Sequence, residues 1–148
     1  MYTIGQVSKM TGLPVSTLRY YDREGLFPDL ERDAGIRQFS EAEIEIIKTI
    51  DCLKKSGLEI KAIRQFLEWA KQGESAFPDR LELLETQREA MKEEMAKLEQ
   101  TLAMIDYKCW YFSKAIEVGE AAASQISPEQ MPAEIRQAWE VMEGKNDE

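Results

Sequence analysis

The chain has 148 residues, enough for one ordinary domain or for a small domain carrying an extended element. It contains no histidine, no Gly-rich phosphate loop and no G-x-S-x-G elbow, so the usual general base, triads and zinc ligands are missing; neither an enzyme nor a bound cofactor is expected. The net charge of −9 is unevenly spread: residues 1–74 hold 11 Lys+Arg against 12 Asp+Glu, and residues 75–148 hold 8 against 16, so local basic patches and not the total decide what a phosphate meets.

In chain order, Thr3 followed by Gln6 forms a capping-box pattern that opens a first helix with Ile4 and Val7 on one face. Thr11-Gly12 ends it, glycine supplying the positive φ of a tight turn. Pro14 suits the first turn of a second helix, which carries Leu18 and Tyr21 inward and stops at Gly25. Two short helices around a glycine-bearing turn suggest a helix-turn-helix whose second helix reads DNA, a weak signal when it stands alone. "PDLERDAGIRQF", residues 28–39, is too rich in Pro, Asp and Gly for a helix and fits a short hairpin or wing. Ser40, boxed with Glu43, caps a third helix to about Ser56, and residues 59–71 form a fourth with Ile60, Ile63, Phe66 and Leu67 apolar. The compact region is therefore residues 1–72, followed by a linker over 73–78.

From Phe77 the pattern changes. Phe77, Leu81, Leu84, Arg88, Met91, Met95, Leu98, Leu102, Ile105, Cys109, Phe112 and Ile116 alternate steps of four and three without a slip, an a/d seam that is polar only at Arg88. A helix over 79–118 with such a stripe needs a partner, and a second copy of the chain is the simplest one. Leu84, Met91, Met95, Leu98, Leu102, Ile105, Cys109 and Phe112 are the dimerisation candidates; Cys109 takes a packing role at an a position. The tail, 119–148, is punctuated by Pro and carries a short helix at 133–143 with Ile135, Trp139 and Met142 on one face.

No segment is long and apolar enough for a membrane span, and "MYTIGQVSKM" does not look like a signal peptide. Cys52 and Cys109 lie far apart without C-x-x-C spacing. A cytoplasmic protein without structural disulfides is expected.

"YTIGQVSKMTGLPVSTLRYYDREGLF", then "GIRQFSEAEI" and "LKKSGLEIKAI", resemble the N-terminal winged-helix domain of the MerR family of bacterial transcription regulators. The long helix resembles that family's dimerisation coiled coil, so the resemblance covers residues 2–118 in order; T-L-R-Y-Y-D with a downstream G-x-R-x-aromatic is its specific part. It implies a mainly α fold, a winged helix-turn-helix followed by an antiparallel coiled coil. It also implies a homodimer on double-stranded promoter DNA that distorts an over-long spacer so that RNA polymerase engages both promoter elements.

On that reading Arg19 is a bidentate donor for a base edge or phosphate, and the Tyr20 hydroxyl reaches phosphate. Ser16 and Thr17 add short contacts at the helix N-terminus. Arg37 in the wing and Lys61 on the fourth helix are flanking phosphate clamps. The plainer roles are core packing for Tyr21 and a surface ion pair with Asp22 for Arg19. The wing reads Gly35-Ile36-Arg37 where the family commonly has G-Y-R, so no phosphate contact is assigned to residue 36.

"GIR" with "CLKKSGL" resembles the family's single-cysteine branch, which responds to aldehydes or nitrosative stress (NmlR/AdhR-like). Helical spacing puts Cys52 outside the apolar cluster of its helix, between Lys48 and Lys55, where a thiolate sensing a small electrophilic inducer could be stabilised; Asp51 and Glu45 oppose this. An inert half-buried cysteine and metal binding are the alternatives. Paired or fourfold cysteines such as metal- and redox-sensing relatives carry after the coiled coil have no counterpart in "IEVGEAAASQ". Tyr107, Trp110, Tyr111, Phe112 and Trp139 make an aromatic-rich end, either lining a small ligand pocket or packing against the partner's DNA-binding domain. The rivals from other classes are a coiled-coil adaptor whose helix-turn-helix binds protein, and a thiol-dependent enzyme for which Cys52 lacks a histidine.

Overall fold

The fold is taken from a computed structural model, which describes residues 1–144. The chain forms two compact units, Met1–Arg88 and the part from Glu89 onward.

In the first unit, α1 (Ile4–Thr11) starts at a complete Thr3–Gln6 capping box and stops at Gly12, φ 75°. α2 (Val15–Arg23) follows after a three-residue turn, with Pro14 as its N-cap. A two-stranded antiparallel wing comes next, β1 (Glu31–Asp33) and β2 (Ile36–Gln38). Its two-residue turn has positive φ at both positions, Ala34 at 48° and Gly35 at 81°, the signature of a type I′ hairpin. Tyr2 pairs with Phe39 at the base of the wing through two backbone hydrogen bonds, 2.7 and 2.9 Å, which ties the N-terminus to the hairpin.

α3 (Glu41–Lys55) is boxed by Ser40 and Glu43, and α4 (Ile60–Lys71) follows a turn at Gly57, φ 92°. Val7, Leu18, Phe39, Ile47, Ile50 and Ile63 are all but fully buried between these elements. Each contributes on the order of 1.5–3 kcal/mol by leaving water. Phe27 meets Phe39 edge-on, 5.7 Å between ring centroids, joining the wing root to the helices.

Residues 73–78 are continuous helical backbone: a 3₁₀ turn, Gly73–Ala76, runs directly into α5 (Phe77–Val118). Ala76 is fully buried, so this junction is packed against the unit. The start of α5 is also fastened to it. The Arg80 guanidinium lies over the Phe66 ring at 4.4 Å, Leu83 packs on the core, and the Gln87 side-chain amide donates to the Ser56 carbonyl. Burial of the Arg80 Nε without a hydrogen-bond partner is offset in part by that cation–π contact.

In the second unit α5 continues to Val118 and Gly119 breaks it at φ 89°. A short α6 (Glu120–Ala123), a 3₁₀ turn (Pro128–Gln130) and α7 (Ala133–Met142) follow. α7 lies along α5: Glu99, Leu102, Ala103 and Asp106 share an open groove with Glu134, Gln137, Ala138 and Val141, and the Gln100 amide donates to the Met142 carbonyl at 3.4 Å. Ile135, Trp139 and Met142 are half-buried. Among the described residues no helix is long and apolar enough to cross a membrane.

Candidate nucleic-acid interface

The second helix of the helix-turn-helix divides cleanly by face. Leu18 and Tyr21 point into the core, Tyr21 only 5% exposed. Ser16, Arg19, Tyr20 and Arg23 are exposed, at the i, i+3, i+4, i+7 spacing that puts them on one stripe. Thr17 is half-buried at the edge of that stripe. The pair of adjacent tyrosines is therefore split, one ring in the core and the other outside, with centroids 6.1 Å apart. Burial, followed by the nearby Asp51 charge and Tyr20, pushes the Tyr21 phenol above its ordinary pKa.

Arg19 has no ion-pair partner among the described residues. The pairing with Asp22 considered above is not formed, because Asp22 is taken by the wing. Arg32 Nη2 and Arg37 Nε each donate to Asp22 Oδ2, both at 2.7 Å, and the carboxylate is almost covered. Arg37 thus sits beside α2 with its Nε edge engaged, while Ile36 is exposed on the wing. A second link holds the far end of α2: Arg64 on α4 donates to the Glu24 carbonyl at 2.8 Å and to its carboxylate at 3.0 Å. Lys61 is exposed in the first turn of α4. Sequence reasoning passed over two exposed arginines here, Arg23 and Arg32. Arg23 was visible as i+4 from Arg19; Arg32 needed the hairpin register to place it opposite Arg37.

Residues 2–69 match the MerR HTH family of regulatory proteins. An uncharacterized HTH-type transcriptional regulator of Haemophilus influenzae is 33% identical over 126 residues, covering 84% of this chain and 93% of that one. The chain belongs to the MerR family. The HTH-type transcriptional regulator AdhR of Bacillus subtilis is 37% identical over 91 residues, 61% of this chain and 65% of AdhR. The crystal structure of HiNmlR, a MerR family regulator lacking the sensor domain, bound to promoter DNA, superposes with a TM-score of 0.68 at 33% identity, covering 82% of this chain and 98% of that one. These similarities agree with the resemblance to the NmlR/AdhR-like branch and with a regulator that is not an enzyme; an adaptor is not favoured.

In this MerR-family chain Cys52 is exposed on α3, not half-buried. The lysines on either side are both occupied: Lys48 binds Glu45 at 2.6 Å and Lys55 binds Asp51 at 2.7 Å. Each bond raises its lysine's pKa, and each carboxylate cancels much of the positive field that would favour a thiolate. Among the described residues no group of three or more side chains that could hold a metal ion occurs, at Cys52 or elsewhere.

The seam of α5 lies open along the single chain. Leu84, Met91, Met95, Leu98, Leu102, Ile105 and Phe112 are between 41% and 68% exposed, and Cys109 is exposed with them. Beside the seam, Tyr107 contacts Trp110 and stacks near Tyr111, which meets Phe112 edge-on. Those rings form a ladder on one helix.

Proposed function

We propose that this MerR-family regulator is a homodimer that binds double-stranded promoter DNA with α2 in the major groove, the wing against the flanking backbone and the α5 seam as the pairing surface. The observation that carries the reading is the outer face of α2. An unpaired arginine, an outward tyrosine and a short hydroxyl at the helix start form one stripe on an element whose opposite face is locked into the core. Arg19 supplies the planar donor pair that suits a guanine edge or a phosphate. Tyr20 and Ser16 supply hydroxyls to the backbone, and Lys61 and Arg37 extend the positive track to either side.

The open seam supports pairing. A row of apolar side chains open to water from Leu84 to Phe112, about eight helical turns, is unstable in water, and a second copy presents the same row. HiNmlR binds promoter DNA without a sensor domain, and the same mode suits a chain whose matching part is a winged helix and a long helix. Promoter distortion that lets RNA polymerase engage both elements is the mode of action we assign.

Cys52 is the candidate sensor for a small electrophile, because its thiol is open to solvent one helical turn from the Ser56–Gln87 link to α5. The direct test of the whole reading is a footprint on the promoter region next to the coding gene, followed by binding titrations over a range of salt. A protected palindrome with steep salt dependence is expected; salt-insensitive or absent binding would return the adaptor.

A further inference from the structure

The wing holds an arrangement that needs an explanation. Arg32 and Arg37 are directly opposed in the hairpin register, so both side chains leave the same face of the two strands. Like charges directly opposed across strands repel and destabilise the pair. The structure resolves the conflict with a single atom: Asp22 Oδ2, on the reading helix, accepts from both guanidiniums at 2.7 Å. Asp22 comes from α2, and its carboxylate is the one acceptor that both wing arginines share in these hydrogen bonds.

We propose that Asp22 is a specificity-determining residue: a counter-charge that fixes the two wing arginines in one arrangement and withholds part of their charge from phosphates that are out of register. Two free guanidiniums on a mobile wing would neutralise phosphates of any duplex. Each such phosphate steepens the salt dependence of binding by about 0.9 in the log–log slope. With Asp22 between them the pair presents a net single positive charge, and its donors point where the clamp leaves them. A backbone in register meets donors that are already ordered, so that complex loses little entropy on forming. A backbone out of register finds those donors aimed elsewhere and half of their charge already neutralised by Asp22, which lowers its affinity. Asp22 acts through the two arginines, so it is a positioning residue and not a contact to DNA.

This inference rests on the duplex-binding reading above, and one experiment separates the two. Full-length protein and Asp22→Asn are titrated over a salt series against the footprinted promoter fragment and against a random-sequence duplex of equal length. The near-isosteric amide keeps an acceptor for one arginine while removing the charge. For Asp22→Asn the random duplex is expected to bind more tightly, with a slope steeper by about 0.9 per protomer, and the promoter-to-random ratio to fall about tenfold. Adding Arg32→Ala to Asp22→Asn restores the single net charge of the wing and is expected to return the slope to the parent value. Parallel weakening on both duplexes with a lowered Tm and an unchanged slope would make Asp22 a structural clamp only and overturn the proposal. An unchanged slope and ratio, or a slope that stays steep in the double variant, would overturn it as well. If the parent protein itself bound neither duplex, the duplex-binding reading would fail first.

Discussion

Replacing Arg19 by alanine separates the reading role proposed for α2 from its folding role more cleanly than any other change. Arg19 is exposed, without an ion-pair partner among the described residues, in the middle of a helix whose other face makes the core. Its loss leaves no buried charge and no cavity, and alanine is the stronger helix former, so folding stability should move by no more than about 0.5 kcal/mol. Binding should respond very differently. A bidentate contact to a base edge is worth about 1–3 kcal/mol of discrimination, roughly 5- to 150-fold in affinity, at each half-site of a dimer. The assay is fluorescence anisotropy on the footprinted promoter fragment and on a random duplex, with thermal melting as the folding control. A base contact shows as lost promoter affinity and relaxed preference at one position of each half-site. A phosphate contact instead weakens both duplexes alike and lowers the salt slope by about 0.9 per protomer. Wild-type affinity on both duplexes at an unchanged melting temperature would refute the argument, because Arg19 is the guanidinium at the centre of that stripe and the other one on it, Arg23, lies a full turn away.

Introducing a carboxylate at the seam, Leu98→Glu or Leu102→Glu, should convert the dimer to monomer in sedimentation at micromolar concentration and abolish promoter binding, while the first unit keeps its melting transition. Cys52→Ala should leave promoter affinity unchanged and remove the transcriptional response to an added aldehyde in a reporter strain; a full response in that variant would end the sensing role. Ala34→Asn places the non-glycine residue that best tolerates positive φ in the first position of the type I′ turn, where Ala34 stands at 48°. A gain of about 0.5–1 kcal/mol in chemical denaturation is expected. The raised Tyr21 phenol gives the alkaline limb its sign. Its contribution is complete below the ordinary tyrosine pKa of about 10 and is lost as pH rises through the higher folded value. Tyr21→Phe should therefore flatten the loss of stability above about pH 10.

The helical part of the fold was legible because its signals are local. Thr3–Gln6 and Ser40–Glu43 are capping boxes spelled out in four residues, and Gly12, Gly25 and Gly57 all take the positive φ that their turns demand. The same holds for the outward stripe of α2, which needs only a 3.6-residue period and one buried leucine to orient it. What could not be read was anything decided across the chain. Asp22 looked like a partner for Arg19, three residues away on the same helix, yet it serves two arginines that lie 10 and 15 residues on. Only the hairpin register brings those guanidiniums together, and a three-residue strand with no buried position, such as β1, carries no pattern from which to read it. The junction after α4 is similar: the end of the apolar pattern at residue 72 suggests a linker over 73–78, whereas Ala76 is buried there and Arg80 stacks on Phe66 at the start of α5.

Cys52 shows how the same limit bears on function. By spacing, Lys48 and Lys55 flank the thiol at i−4 and i+3, and proximity alone would make it a stabilised thiolate. Spacing does not say which partner a lysine takes. Both ammonium groups turn to carboxylates on their own helix, at 2.6 and 2.7 Å. A thiol facing two closed ion pairs sees opposing fields from each, and at the surface both are screened further by water and salt. The sensing role proposed for Cys52 therefore needs another source of reactivity. Two sources are open to it: the intrinsic reactivity of the electrophile, or the loss of those ion pairs. The second makes a sharp demand, because Glu45→Gln together with Asp51→Asn frees both lysines. If their field is what the site lacks, the double variant should alkylate faster with iodoacetamide at neutral pH than the parent, in proportion to a larger thiolate fraction. Equal rates would show that the field of those two lysines does not govern the thiol.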